Sequence, residues 1–169
     1  MSQERTSVKP PALTAEELQR RLAAEFREAF HSDSGLSILK VWYGGCRVRL
    51  AFQDNSTRPG GTISGPTLMM LADVAMYVGL LASIGWVPLA VTTNLNINFL
   101  RKPARAALLA ECRLIKLGKR LAVGDIAMRS EGEQDLVAHA TSTYSIPPEN
   151  EADTHRYSSP RLRRRRRVR

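Results

Sequence analysis

Between Arg58 and Arg101 run 42 residues that carry one formal charge, the carboxylate of Asp73. Inside that run, PTLMMLADVAMYVGLLASIG is apolar in every direction a helix can face, so a helix here has to be buried nearly all round. Ser64 is placed to cap it, and Pro66 suits its first turn, where the missing N–H has no partner to lose. A carboxylate inside such a helix is costly unless it is hydrogen-bonded or paired. Any fold of this chain must therefore wrap the helix and also supply partners to Asp73. A membrane span would tolerate the apolar run, but Asp73 near its centre, Gly79, Gly85 and Pro88 close by, and the lack of a strongly basic flank argue against one.

The flanking sequence supplies the wrapping. Residues 1–13 are polar with two prolines and read as a flexible leader. Thr14 followed by Glu16 and Glu17, with Leu18, Leu22, Phe26 and Phe30 at helical spacing, predicts a capped amphipathic helix to about His31 within an N-terminal segment over 14–35. The apolar and polar residues of 38–52 alternate around Gly44 and Gly45, which predicts a strand with a bulge or a hairpin-like break. A loop rich in Gly, Asn, Ser and Pro follows. After the helix come four β-type runs, broken at Lys102-Pro103, Gly118-Lys119 and 131–133, and such tight breaks favour consecutive antiparallel pairing. The layout is α+β: an antiparallel sheet wrapped around a central helix, with the main domain over 36–148.

At 169 residues the chain suits a single core. Its net charge of +9 suggests a nucleic-acid binder until it is located: eight of 25 basic residues lie in 156–169, where there is no acid. The first 155 residues are nearly neutral at +1. The Arg-rich stretch over 149–169 reads as a disordered tail, for which contact with nucleic acid or an anionic membrane is conceivable but unsupported. Cys46 and Cys112 have neither disulfide-framework nor zinc spacing. With no secretory signal at the N-terminus, a cytoplasmic location is expected.

The helix begins at a glycine-containing loop whose free N–H groups and positive dipole end could hold a developing oxyanion. The segment SGPTLMMLADVAM resembles the hotdog-fold thioesterases related to the phenylacetate-pathway enzyme, in which a His-Gly-Gly turn runs into a helix bearing Leu-Ala-Asp. AVTTNLNINFLRKP resembles that family's next strand, and the resemblance covers about residues 36 to 147. It implies a hotdog fold, a site between two subunits, Asp73 as nucleophile or general base, and the Gly65 N–H as the donor that polarises the thioester carbonyl. The chain departs from the pattern at Ser64, which replaces the histidine, and at Pro66, which replaces the second glycine. Asn55 in the preceding loop is a candidate for the missing polar contact, to the carbonyl or to a water.

Thioester hydrolysis suits this set, since a thiolate leaves readily and one carboxylate with one aligned donor can suffice. No metal or cofactor is demanded. The expected activity is hydrolysis of a medium-chain or aromatic acyl-CoA by a homodimer or dimer-of-dimers tetramer. A non-catalytic acyl-CoA-binding protein, or a hotdog hydratase or dehydratase, is the alternative. Leu68, Met69 and Met76 are the candidate acyl tunnel, and Thr93 is a candidate substrate neighbour. Arg101 and Lys102, with Lys116, Lys119 and Arg120 around the Gly118 turn, are candidates for the phosphates of coenzyme A. His31, His139 and His155 show no ligand spacing, and Ser64 lacks a visible base partner for triad chemistry.

Overall fold

The structure, a computed structural model, describes residues 9–148. Thr14 and Glu17 form a capping box: the Glu17 N–H donates to Thr14 Oγ1 at 3.2 Å, and the Thr14 N–H donates to Glu17 Oε2 at 2.9 Å. This cap starts α1 (Ala15–Glu25), which buries Leu18 and Leu22. The helix stops six residues short of the predicted His31, because Phe26 leaves helical geometry (φ −121°, ψ 58°). The chain then turns, with the Ala29 and Phe30 N–H groups donating to the Phe26 carbonyl, and Phe30 is buried in the core.

The glycine pair makes a hairpin joining β1 (Leu36–Trp42) to β2 (Gly45–Leu50). Gly44 turns at φ +90°, and a Cβ on Gly45 would overlap the Cys112 carbonyl and sit 2.6 Å from the Trp42 ring. A 3₁₀ turn at Asp54–Ser56 follows, and then α2 (Gly65–Ile84). Ser64 caps α2, accepting from the Thr67 N–H, and Gly85 ends it at φ +91°. Twelve of its 20 residues are buried. It is long and apolar enough to cross a membrane, yet it lies against all six strands as the core of the fold.

The remaining strands are β3 (Val91–Phe99), β4 (Leu108–Leu117), β5 (Leu121–Ser130) and β6 (Leu136–Ser145). All pairings are antiparallel, in the order β1-β2-β4-β5-β6-β3. The expected wrapped sheet is there, and β4, β5 and β6 pair consecutively as predicted. The strand β3 does not pair with β4; it lies at the far edge beside β6. The break at Lys102-Pro103 is in fact the eight-residue connection 100–107, long enough to cross the sheet, and the hairpin occupies the other flank of β4.

Many inward residues of β4–β6 are small: Ala110, Cys112, Ala122, Gly124, Ala138 and Ala140 are buried. Their size lets α2 sit close to the sheet. Met76 fills the space over Gly124, and Cys112 Sγ lies between Gly79 and Gly124. The two sheet edges are treated differently. Gln19 of α1 caps β1, accepting from the Ile38 N–H at 2.9 Å and reaching the Leu36 carbonyl at 3.5 Å, whereas β3 pairs on one side only.

Candidate functional site

Asp73 sits two turns into α2, half-buried, where the cradle of strands opens. Its Oδ1 accepts two hydroxyls: Thr92 Oγ1 donates at 2.6 Å and Tyr144 Oη at 2.9 Å. Tyr144 Oη also lies 3.3 Å from the Asp73 carbonyl. Among the described residues, Oδ2 has no hydrogen-bond partner. Among those residues Asp73 is therefore a carboxylate with one oxygen anchored and one uncommitted, and no cation pairs with it. Burial, reinforced by the carboxylate, holds the Tyr144 phenol well above its ordinary range, so it stays protonated and remains a donor to Asp73.

The backbone explains why Thr92 meets Asp73. Thr92 pairs with Tyr144 and Asn94 with Thr143, so Thr93 is an extra residue in a β-bulge. Strict alternation would turn Thr93 inward with Leu95, Ile97 and Phe99. The bulge instead sends the Thr93 hydroxyl to the Thr143 carbonyl at 3.1 Å and gives the inward place to Thr92.

Asp73 lines a cavity of about 440 Å³. Its other walls are chiefly Leu22, Phe26, Val74, Tyr77, Trp86 and Tyr144. The aromatic rings touch one another: Tyr77 stacks on Tyr144 at 6.0 Å and 23°, and Phe26 meets Tyr77 edge-on at 6.2 Å. Burial, with the charge of Glu25, pushes the Tyr77 phenol up to about 12, and its hydroxyl donates to the Pro88 carbonyl at 3.2 Å.

The other sequence candidates fall into two groups at opposite ends of β3. At the Asp73 end is the β4–β5 turn carrying Lys116, Lys119 and Arg120, all exposed. The Arg120 carbonyl accepts from the Ile146 N–H at 2.9 Å, two residues beyond Tyr144. At the other end Gly65 opens α2, with the Phe99 ring 3.4 Å from where a Cβ would stand. Arg101 and Lys102 lie beyond Phe99, and Arg101 pairs with Asp135 at 2.8 Å. Ser64 Oγ is engaged with Thr67, 2.8 Å from its hydroxyl, in the N-cap. Asn55 is exposed in the 3₁₀ turn.

The cavity beside Asp73 does not include Leu68, Met69 or Met76 in its lining. Leu68 and Met76 are core residues, 3% and 0% exposed, while Met69 is 41% exposed. Sequence reasoning missed Thr92, Tyr144 and the aromatic wall of Phe26, Tyr77 and Trp86. The available signal was Tyr144, the one large side chain in the otherwise small inward row of Ala138, Ala140 and Ser142. Among the described residues, no group of three or more His, Cys, Asp or Glu is placed to hold a metal.

A family model described as the thioesterase superfamily matches residues 60–137, from the loop before α2 into β6. A Saccharolobus solfataricus protein named as a candidate esterase is 32% identical over 146 residues, covering 85% of this chain and 93% of its own. Among solved structures, a candidate thioesterase from a Silicibacter species superposes with a TM-score of 0.74 at 43% identity, covering 82% of this chain and 94% of that one. The phenylacetic acid degradation protein of Thermus thermophilus superposes with a TM-score of 0.60 at 25% identity, covering 72% and 98%. The wrapped helix, the match through the Asp73 segment and the near-full-length relatives agree: the chain has the hotdog fold and belongs to the thioesterase superfamily.

Proposed function

We propose that the protein hydrolyses the thioester of an aromatic or medium-chain acyl-CoA, with Asp73 as nucleophile or general base. The observation that carries this reading is the Asp73 carboxylate: Oδ1 is fixed by Thr92 and Tyr144, and Oδ2 is free beside an aromatic cavity. As a base, Oδ2 takes a proton from water, the hydroxide adds to the carbonyl, and the thiolate of coenzyme A leaves. As a nucleophile, Oδ2 attacks the carbonyl itself and the C–S bond breaks to release the thiolate of coenzyme A; water then hydrolyses the resulting anhydride and restores the Asp73 carboxylate. The two hydroxyls hold the carboxylate in one orientation in either case.

The carbonyl also needs a donor, and Gly65 of the same chain is too far. Eight residues of helix at about 1.5 Å each put it roughly 12 Å along the axis. A second copy removes the difficulty. Gln19 closes the β1 edge and leaves the β3 edge open, so two copies pair most readily along β3. Antiparallel pairing lays the Gly65 end of one copy against the Asp73 end of the other. The Gly65 N–H then faces the neighbouring Asp73, with Ser64 holding the turn and Asn55 on the adjoining loop. Exposed Phe99 and Leu100, each 54% accessible, are covered. Arg101 and Lys102 of one copy join Lys116, Lys119 and Arg120 of the other around the phosphates of coenzyme A.

A thiol-release assay across aromatic and straight-chain acyl-CoAs tests this function. Turnover of aromatic or medium-chain members supports it. Binding without turnover anywhere in the panel replaces it with a non-catalytic acyl-CoA-binding role.

A further inference from the structure

The cavity has a second acid. Glu25, the last residue of α1, lines it together with Asp73, and among the described residues no Lys, Arg or His does. Among the described residues no ion pair neutralises Glu25. Arg21, one turn earlier, forms no ion pair with it; its guanidinium carbon stands 5.3 Å above the Trp86 ring and Arg21 does not line the cavity. The last turn of α1 has no basic residue, so the negative end of that helix adds to the carboxylate at the same rim. The field of Glu25 reaches Tyr77, whose phenol it helps to raise. Between the two acids the walls include the rings of Phe26, Tyr77 and Trp86, and the face of an aromatic ring attracts a cation.

We propose that Glu25 reads the far end of the acyl group, so that the cavity prefers acyl groups ending in a cation or hydrogen-bond donor over those ending in a carboxylate. The proposal rests on the reading that the acyl group occupies the Asp73 cavity. With the carbonyl at Asp73, the remainder of the acyl group lies along the aromatic walls toward α1. A terminal ammonium or hydroxyl meets Glu25 and the carbonyl end of α1 there. A terminal carboxylate meets like charge, with no basic side chain among the described residues lining the cavity to offset it.

The test uses three non-hydrolysable thioethers of coenzyme A on the full chain: phenacyl, 4-(aminomethyl)phenacyl and 4-carboxyphenacyl. Affinities are taken by titration calorimetry at low ionic strength. The amine should bind about tenfold more tightly than the carboxylate, the size expected when a unit charge is reversed near an exposed acid at low ionic strength. Glu25→Gln should shrink that ratio to about threefold or less, and Glu25→Lys should reverse its order. Glu28→Gln removes a nearby charge that does not line the cavity and should leave the ratio intact. Equal affinities in the unaltered protein, or a ratio that survives Glu25→Gln, would overturn the proposal. Because the thioethers are not hydrolysed, this outcome is separate from the thiol-release assay: turnover without end-group preference removes only the role of Glu25.

Discussion

The Tyr144 hydroxyl donates to Asp73 Oδ1 at 2.9 Å from the end of β6, across the open end of the sheet from α2. Thr92 on β3 meets the same oxygen at 2.6 Å. One helix and two strands thus converge on a single carboxylate oxygen. Removing either hydroxyl should loosen the acid without removing it. Tyr144→Phe is expected to lower kcat/KM by about tenfold and to cost roughly 1.5–3 kcal/mol of stability, the usual size of a hydrogen bond to a charged acceptor.

The bulge separates two adjacent threonines. Thr92→Val should lower kcat by about tenfold, whereas Thr93→Val, whose hydroxyl goes to the Thr143 carbonyl, should change it by less than about twofold. Steady-state kinetics of the pair checks this, and equal losses would contradict the register.

That register shows where the sequence stopped being informative. The helix over α2, its burial and its lone acid follow from residue types alone, because a helix that is apolar all round must be wrapped by protein or lie in a membrane, and Asp73 near its centre argues against the membrane. The cap at Thr14 and the turn at Gly44 follow likewise from local chemistry. The position of β3 does not, since the choice between β4 and β6 as neighbour is made by a connection whose length the Lys102-Pro103 break conceals. The bulge is invisible for a similar reason: Thr92 and Thr93 are the same residue type, and pairing with β6 decides which turns inward. Phe26 is far in the chain from Tyr77 and Trp86, so their common wall exists only after α1 docks.

Outside the site, Glu111 joins β2 to β4. Arg47 bonds it at 2.6 Å and Arg113 at 2.7 Å, and these guanidinium bonds, Arg47 first, hold its carboxyl below the usual range against a smaller effect of burial. A depressed carboxyl stabilises the fold above its unfolded-state value, and that contribution is lost as pH falls through the folded value. Glu111→Gln should cost roughly 1 kcal/mol near neutral pH. Urea titrations should show the difference from the parent shrinking from about pH 5 downward.

Two glycines test the packing of α2 on the sheet. An added Cβ at Gly45 meets the Cys112 backbone carbonyl, which cannot move without breaking the β2–β4 ladder; at Gly124 it meets the flexible end of Met76, and Cys112 Sγ at 3.3 Å. Overpacking costs about 1–3 kcal/mol, so Gly45→Ala should fall at or above the upper end and Gly124→Ala nearer the lower. Chemical denaturation orders them, and the reverse order would contradict the contact geometry.

The central claim is that Asp73 does chemistry, and Asp73→Asn tests it most directly. The amide keeps the volume and can still accept from Thr92 and Tyr144 through its oxygen, but it has no basic, nucleophilic second oxygen. Single-turnover hydrolysis of an acyl-CoA that the unaltered protein processes should slow by about 10² or more, with melting temperature and subunit association little changed. Near-normal turnover by a well-folded Asp73→Asn protein would contradict the account and leave Asp73 as a packing residue.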